Sequence, residues 1–293
     1  MADDCCAASR KARGGSLQDW VIYGVDFSSA PSVRKPITVA QARLAQPSCS
    51  GAPLALEVKA LIGLTDWGGF ERFLQTPGPW VGGFDFPFGL PRELVRTLDW
   101  PLCWPDLVRH FEALSRDTIR ERFRAFCAAR PVGGKFAHRA TDRPAGSSPS
   151  MKWVNPPVAW MFQTGAPRLL RAGLHLPGLL AGDPERVALE AYPGMLARSV
   201  TRRSYKSDDP RQQDAARRAA RGEILAALAS GAHGLGVPVR FMPSVADRLA
   251  DDPGADWLDA VICAVQAAWA LQQGSTWGLP PVIDELEGWI AGA

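Results

Sequence analysis

The sequence predicts an α/β fold whose buried strands carry acidic residues at their ends. Three apolar segments each contain one carboxylate directly before a turn, at Asp26, Asp85 and Glu190. A fourth apolar segment, over residues 256–271, is typical of a long buried helix. A carboxylate within an apolar element is costly to bury unless a partner or a metal ion compensates its charge. These patterns indicate both the fold class and the part of the molecule where chemistry is expected.

Length and composition are those of a soluble globular protein. The chain has 293 residues, of which 46% are hydrophobic and 22% are charged. No apolar run is long enough to span a membrane, and residues 1–17 lack the hydrophobic segment of a signal peptide. The six cysteines show no CxxC pairing, which argues against a zinc site or a disulfide framework. We expect a disordered tail over 1–17, a single domain over 18–293, a cytoplasmic location and no membrane partner.

The first part of the domain is predicted to be an antiparallel meander. An apolar strand over 21–26 is followed by alternating segments over 36–44 and 54–62, with short connections between them. Asp66 then has the position of a helix N-cap. A strand over 80–85 repeats the pattern of the first, because it also carries one carboxylate before a Pro/Gly turn.

The middle of the chain is predicted to be a helical insertion over about 92–185. Residues 92–130 have helical periodicity, whereas residues 131–157 form a long irregular segment. A loop of this length in a compact domain is usually functional or disordered. Four basic residues are candidates for phosphate contacts, namely Lys135, Arg139, Lys152 and Lys206. Ordinary solvated surface positions are an equally good interpretation of these charges.

Charge is distributed unevenly along the chain. Residues 116–143 and residues 198–221 each contain eight Lys or Arg against three acids. From residue 244 onward there are eight acids and one base. Two basic blocks beside an acidic C-terminal helix suit a metal site bordered by an anion-binding surface. Solvated helix faces are the simpler alternative for either block.

The acidic residues can be interpreted in two ways. Asp26 and Asp85 either cap turns through their own backbone or coordinate a metal ion. Asp256 can cap the C-terminal helix or interact with its dipole. Asp259 lies one turn inside that helix, on the same face as Asp256 and without a basic neighbour in sequence. Clustered carboxylates repel one another unless a cation joins them, so the pattern favours Mg²⁺ or Mn²⁺, with two ions able to promote phosphoryl transfer.

Four segments of the sequence resemble a known family. They are GVDFSSA (24–30), GFDFPFGLP (83–91), EAYP (190–193) and DWLDA (256–260), and they are similar to segments of the domain-of-unknown-function 429 (DUF429) family. The resemblance runs from about residue 18 to residue 270. This family is described as predicted nucleases with a ribonuclease-H-like fold. The resemblance implies a ribonuclease-H-like mixed sheet, with three antiparallel strands first, then parallel strands, and helices on its faces.

The resemblance also implies roles for the acidic residues. Matched by role, the candidate catalytic residues are Asp26, Asp85, Glu190 and Asp259. The candidate metal ligands are Asp26, Asp85, Asp256 and Asp259. The match leaves open whether Asp85 or Glu190 is the ligand that joins Asp26 and Asp259. We therefore expect a nuclease that depends on Mg²⁺ or Mn²⁺ and acts on DNA or RNA.

Two other functions remain open at this point. A non-catalytic module that binds nucleic acid or protein would keep the fold and lose the chemistry. An ATP-using phosphotransferase is a weaker alternative, because the sugar kinases and ATPases of this fold hold a nucleotide between two related domains. The sequence contains no second copy of the Gly-Val-Asp strand with a Gly-rich turn.

Overall fold

The protein is built around a mixed β-sheet. A computed structural model describes residues 16–46, 53–207, 209–212 and 214–293. The strands are β1 (Val21–Asp26), β2 (Ile37–Ala45), β3 (Ala55–Leu64), β4 (Trp80–Asp85), β5 (Leu174–His175), β6 (Asp183–Glu190) and β7 (Val239–Arg240). The α-helices are α1 (Trp67–Leu74), α2 (Arg92–Thr97), α3 (Trp104–Ala113), α4 (Arg116–Ala128), α5 (Asp142–Ala145), α6 (Val158–Ala172), α7 (Pro193–Val200), α8 (Ala215–Ser230), α9 (Pro243–Asp251) and α10 (Asp256–Gln272).

The order of the strands in the sheet is β5-β6-β4-β1-β2-β3-β7. β2 is antiparallel to both β1 and β3, whereas β4 runs parallel to β1 and β6 runs parallel to β4. The short strands β5 and β7 extend the two edges in parallel. This arrangement confirms the predicted α/β mixed sheet, with antiparallel strands first and parallel strands after them. It is consistent with a ribonuclease-H-like fold.

The segment between β4 and β6 contains most of the departures from the predicted elements. The helical region predicted over 92–130 divides into α2, α3 and α4. α6 is a helix that the sequence does not predict, because its interior contains Gly165 and Pro167, residues that weaken a helix prediction. By contrast, Asp66 is the N-cap of α1 as predicted, since its carboxylate accepts a 2.7 Å hydrogen bond from the Gly69 amide.

The sheet separates two hydrophobic layers. Because side chains alternate along a strand, Val25 and Phe84 point to one side, where they pack with aromatic residues of α1 and of the segment between β4 and β6. Ile22 and Val81 point to the other side, against α8 and α10. α10 is apolar on nearly all sides and is buried along most of its length, as expected for a helix with that pattern.

The predicted tail over 1–17 lies almost entirely outside the described residues. Ser16 and Leu17 are described, and Ser16 caps a short 3-10 helix that begins at Leu17. Cys103, Cys127 and Cys263 are free thiols. Within the described ranges, no helix combines the length and the apolarity needed to cross a membrane.

Candidate active site

Two glycines allow α10 to pack directly on the backbone of β1 and β4. A Cβ atom on Gly24 would lie 1.9 Å from the Ala260 carbonyl oxygen, and a Cβ atom on Gly83 would lie 2.4 Å from the Cys263 carbonyl oxygen. Any larger residue at either position would push the helix away from the sheet. Each glycine comes two residues before an aspartate on the same face of its strand, so the close contact of α10 also places the helix beside these aspartates.

The strand register decides which carboxylates share a face of the sheet. Asp26 of β1 pairs with Asp85 of β4, and Phe84 pairs with Glu190 of β6. Since neighbouring residues of a strand point to opposite faces, Asp26 and Asp85 lie on the α10 face and Glu190 points to the other face. The structure therefore groups Asp85, rather than Glu190, with Asp26 and with the carboxylate of α10.

Asp259 brings the third carboxylate to this face. It is fully buried in the first turns of α10. The Tyr205 hydroxyl donates a 2.7 Å hydrogen bond to its Oδ1, and the Lys206 ammonium forms an ion pair with its Oδ2. We call Asp26, Asp85, Asp259 and Lys206 the α10 cluster. Asp256 lies at the edge of this cluster, where its Oδ1 is 3.8 Å from the Lys35 ammonium.

The charged forms of Asp26 and Asp85 in the α10 cluster are electrostatically unfavourable. Burial raises the pKa of Asp26 well above its usual value, and repulsion from Asp259 and Asp85 adds to this effect. Burial raises the pKa of Asp85 to about 7, with Lys206 opposing the shift and Asp259 contributing to it. No N–H or O–H of the described residues donates a hydrogen bond to the side chain of Asp26 or Asp85. These two carboxylates are half-buried and have no protein partner that would offset their partial loss of solvation.

Lys206 is the positive charge of the α10 cluster. Burial would lower the pKa of this ammonium, but Asp259, the neighbouring Tyr205 and the two strand aspartates outweigh burial and raise it well above its usual value. The side chain is 44% exposed, so it faces both the cluster and the solvent. Lys206 was predicted from the sequence as a phosphate contact, and its position at the mouth of the cluster is compatible with that prediction.

Glu190 belongs to a separate cluster on the other face of the sheet. Its two carboxylate oxygens each accept a 2.7 Å hydrogen bond from the guanidinium of Arg139, and the Phe88 amide donates a further one of 2.9 Å. Burial raises the pKa of Glu190, while Arg139 opposes the shift. Arg139 is only 2% exposed, so the structure places this predicted phosphate contact inside the protein rather than at its surface.

Asp142 and Glu287 complete what we call the Arg139 cluster, together with Arg139 and Glu190. Asp142 accepts hydrogen bonds of 3.0 and 2.8 Å from the guanidinium of Arg139. It accepts a third, of 2.9 Å, from the backbone amide of Arg139. The Glu287 carbonyl accepts a 3.0 Å hydrogen bond from Arg139, and the Glu287 carboxylate accepts two from the amides of Arg92 and Ala140. This cluster joins the irregular segment, the end of β6 and the C-terminal segment.

A cavity of about 300 Å³ opens between the two clusters. Its polar lining includes Asp85, Lys206, Arg139 and Glu190, and its apolar lining includes Phe86, Pro87, Val158, Met161 and Ala191. Of the four basic residues predicted to contact phosphate, Arg139 and Lys206 line this cavity. Lys135 is exposed and Lys152 is half-buried, and neither lines it.

The donor set of the α10 cluster suits a hard cation. Among the residues that the structure describes, no three His, Cys, Asp or Glu side chains are arranged to hold a metal ion. Two carboxylates remain open, those of Asp26 and Asp85. Mg²⁺ is commonly bound through only one or two protein carboxylates, with water and substrate oxygens completing its shell. The residues present therefore fit a divalent cation that is held in part by its substrate.

Several residues in or next to the two clusters were not identified from the sequence. Tyr205 orients Asp259, Glu287 anchors the Arg139 cluster, and Gln266 of α10 bridges the Tyr192 amide and the Ala291 carbonyl with hydrogen bonds of 3.0 and 2.9 Å. Gln266 alone had a sequence signal, since it is the one amide side chain within the apolar stretch of α10. Tyr205 and Glu287 lie in irregular segments whose patterns carry no comparable signal.

Comparison with known proteins identifies the family of the chain. Residues 56–285 match the model of the family described as "Protein of unknown function (DUF429)". Because this match covers most of the chain, the protein belongs to the DUF429 family. No curated protein matches the chain. No solved structure matches it either.

Proposed function

We propose that this member of the DUF429 family is a phosphodiesterase that acts on nucleic acid and depends on Mg²⁺ or Mn²⁺. The observation that carries the proposal is the pair of open carboxylates, Asp26 and Asp85, which are aligned on neighbouring parallel strands at the same end of the sheet. Asp26 and Asp85 are half-buried, and a carboxylate that has a raised pKa and no protein partner is a candidate for a functional site. A divalent cation would supply the missing partner for both.

The cation would be held by Asp26 and Asp85, whose oxygen ligands Mg²⁺ and Mn²⁺ prefer. When bound, it would polarise a phosphoryl oxygen of the substrate and stabilise the charge that develops there. The chain itself supplies Lys206 at the entrance, where a flexible ammonium can bind a phosphate as a point charge. Tyr205 fixes Asp259 beneath that ammonium.

Nucleic acid is the substrate class that the surroundings favour. Lys206 belongs to the basic block over 198–221, and such a block attracts a polyanion irrespective of its sequence. The cavity beside Asp85 has apolar walls and a polar end, which suits a nucleobase attached to a phosphate. These features support a substrate with repeated phosphates and flat apolar groups.

The test is a cleavage assay with labelled single- and double-stranded DNA and RNA in the presence of Mn²⁺ or Mg²⁺. We expect cleavage by the wild-type protein and a loss of at least ~100-fold in Asp26→Asn and in Asp85→Asn, because even residues that only orient metal ligands are worth ~10–100-fold. Asp117→Asn is the matched control, since this aspartate is exposed on α4. Full activity of Asp26→Asn and Asp85→Asn would refute the proposal.

A non-catalytic nucleic-acid-binding module is the second candidate. The observation in its favour is the ion pair between Lys206 and Asp259, which neutralises one carboxylate of the α10 cluster without any metal. A module of this kind would bind nucleic acid equally well with and without a chelator and would leave it intact. Binding that strengthens with Mn²⁺, accompanied by cleavage, would instead support the phosphodiesterase.

A further inference from the structure

Lys206 is held in place on both sides along the chain. The carbonyl of the preceding residue, Tyr205, accepts a 2.8 Å hydrogen bond from Arg221, a buried residue of α8. The amide of the following residue, Ser207, donates a 3.2 Å hydrogen bond to the Pro253 carbonyl, just before α10. The position of the Lys206 backbone is therefore fixed between two helices, although its side chain is long.

The contacts of Lys206 divide the three carboxylates of the α10 cluster into two kinds. Both oxygens of Asp259 are already engaged, Oδ1 by the Tyr205 hydroxyl and Oδ2 by the Lys206 ammonium. Asp26 and Asp85 also attract that ammonium electrostatically, but neither forms an ion pair with it within 4.0 Å. One carboxylate is thus neutralised by the chain, and two are left for an external cation.

We propose that the site takes a single divalent cation, on Asp26 and Asp85, and that the Lys206 ammonium occupies the place that a second cation would take on Asp259. This inference rests on the proposed function and specifies the composition of the same site. In a site for two ions, the ions lie about 4 Å apart and need carboxylates that both of them can share. Here the ammonium of Lys206 lies on Asp259, and a second divalent ion beside it would face direct repulsion.

The ammonium is also placed to contact the substrate. Lys206 and Asp85 line the same cavity, so a phosphate bound between them would contact the lysine on one side and the cation on the other. Because Lys206 carries a permanent positive charge, it attracts the phosphate as a second cation would. No second ion then has to bind. Asp259, held by Tyr205, positions this charge.

The experiment is a titration of the full chain with Mn²⁺, in which free Mn²⁺ is measured by electron paramagnetic resonance in the absence of substrate. The variants are Lys206→Met, which keeps a similar stem without the charge, and Lys206→Arg, which keeps the charge. We expect one ion in the wild-type protein, one in Lys206→Arg and two in Lys206→Met. Circular dichroism and thermal unfolding of each variant establish that it is folded.

The possible outcomes separate this inference from the proposed function. Two ions in the wild-type protein, or a single ion in Lys206→Met, would overturn the role of Lys206 and leave a metal-dependent enzyme in place. If no variant binds Mn²⁺ at millimolar concentration, the inference fails, and the cleavage assay in the presence of Mn²⁺ or Mg²⁺ decides the proposed function separately. Asp85→Asn serves as the control that must lose the wild-type ion.

Discussion

The α10 cluster and the Arg139 cluster place carboxylates at the same end of the sheet but surround them differently. The carboxylates of the Arg139 cluster are buried, whereas Asp26 and Asp85 of the α10 cluster are half-buried. In the Arg139 cluster, every carboxylate oxygen of Glu190, Asp142 and Glu287 accepts a hydrogen bond. In the α10 cluster, the carboxylates of Asp26 and Asp85 accept none from the described residues. A cluster whose hydrogen bonds are complete serves the fold, and one whose bonds are missing is available for a ligand. This difference is the reason for which we propose the α10 cluster as the functional one.

The largest effect is expected from Arg139→Met, which removes the positive charge of the Arg139 cluster. Glu190 and Asp142 would then remain buried without their counter-ion, and breaking a buried ion pair in this way costs about 3–5 kcal/mol. The measurement is the free energy of unfolding in urea. Lys206→Met is the comparison variant, since its side chain is 44% exposed and a smaller loss is expected. Equal losses would mean that the two clusters do not differ as described.

Gly24→Ala should break the α10 cluster and leave the Arg139 cluster intact. The new methyl group would meet the backbone of α10 at Ala260, and overpacking of this kind costs ~1–3 kcal/mol or more. Gly222→Ala is the matched control, because a Cβ there meets no atom within 4 Å and replacing a helical glycine stabilises by ~0.5–1 kcal/mol. Thermal unfolding and Mn²⁺ binding of both variants are the measurements. A Gly24→Ala protein as stable as the wild type would contradict the observed contact.

Amide substitutions should change stability in opposite directions in the two clusters. Above its pKa of about 7, the half-buried Asp85 carboxylate destabilises the metal-free fold, because the same group ionises more easily in the unfolded chain. Its cost appears as the pH rises from about 4 to about 7, so Asp85→Asn should remove it and raise the free energy of unfolding at pH 8. Glu190→Gln should lower the free energy of unfolding by about 1.5–3 kcal/mol, since Arg139 keeps its charge and loses one of its two carboxylate partners.

The measurement for this pair is urea unfolding at pH 8 in the presence of a chelator. At pH 4, where the Asp85 carboxyl is protonated in the folded protein, the gain from Asp85→Asn should disappear. Destabilisation by both substitutions at pH 8 would show that Asp85 has a partner that compensates its charge.

The smallest effect concerns the affinity for Mn²⁺ as the pH changes. A cation must displace the proton of Asp85, so its affinity should rise with pH up to about 7 and change less above that value. Displacement of one proton corresponds to about a tenfold change in affinity for each pH unit below the pKa. Titrations at several pH values provide the measurement. An affinity that is independent of pH from about 5 to 7 would place the cation elsewhere.

The sequence was sufficient for the main elements and for most of the acidic residues. β1, β4 and α10 have strong apolar patterns, and their carboxylates stand out against them. The choice between Asp85 and Glu190 was beyond the sequence, because it depends on which residues of β4 and β6 are paired, and a shift of one residue exchanges the faces. The burial of Arg139 was equally hidden, since its segment has no periodicity and two of its partners, Glu190 and Glu287, lie 51 and 148 positions away.

Synthesis of the chain imposes an order on the assembly of the α10 cluster. Gly24 and Gly83 leave space on the sheet for a helix that is translated long after β1 and β4, and the hydrogen bond from the Thr38 hydroxyl to the Asp256 carbonyl joins residues 218 positions apart. Ribosomes add about 5–20 residues per second, so the strands leave the ribosome well before α10 can dock. A nascent chain, still attached to its messenger RNA, therefore carries Asp26 and Asp85 without Asp259. Because α10 carries Asp259, the site cannot be completed until that helix has been translated and has docked on Gly24 and Gly83.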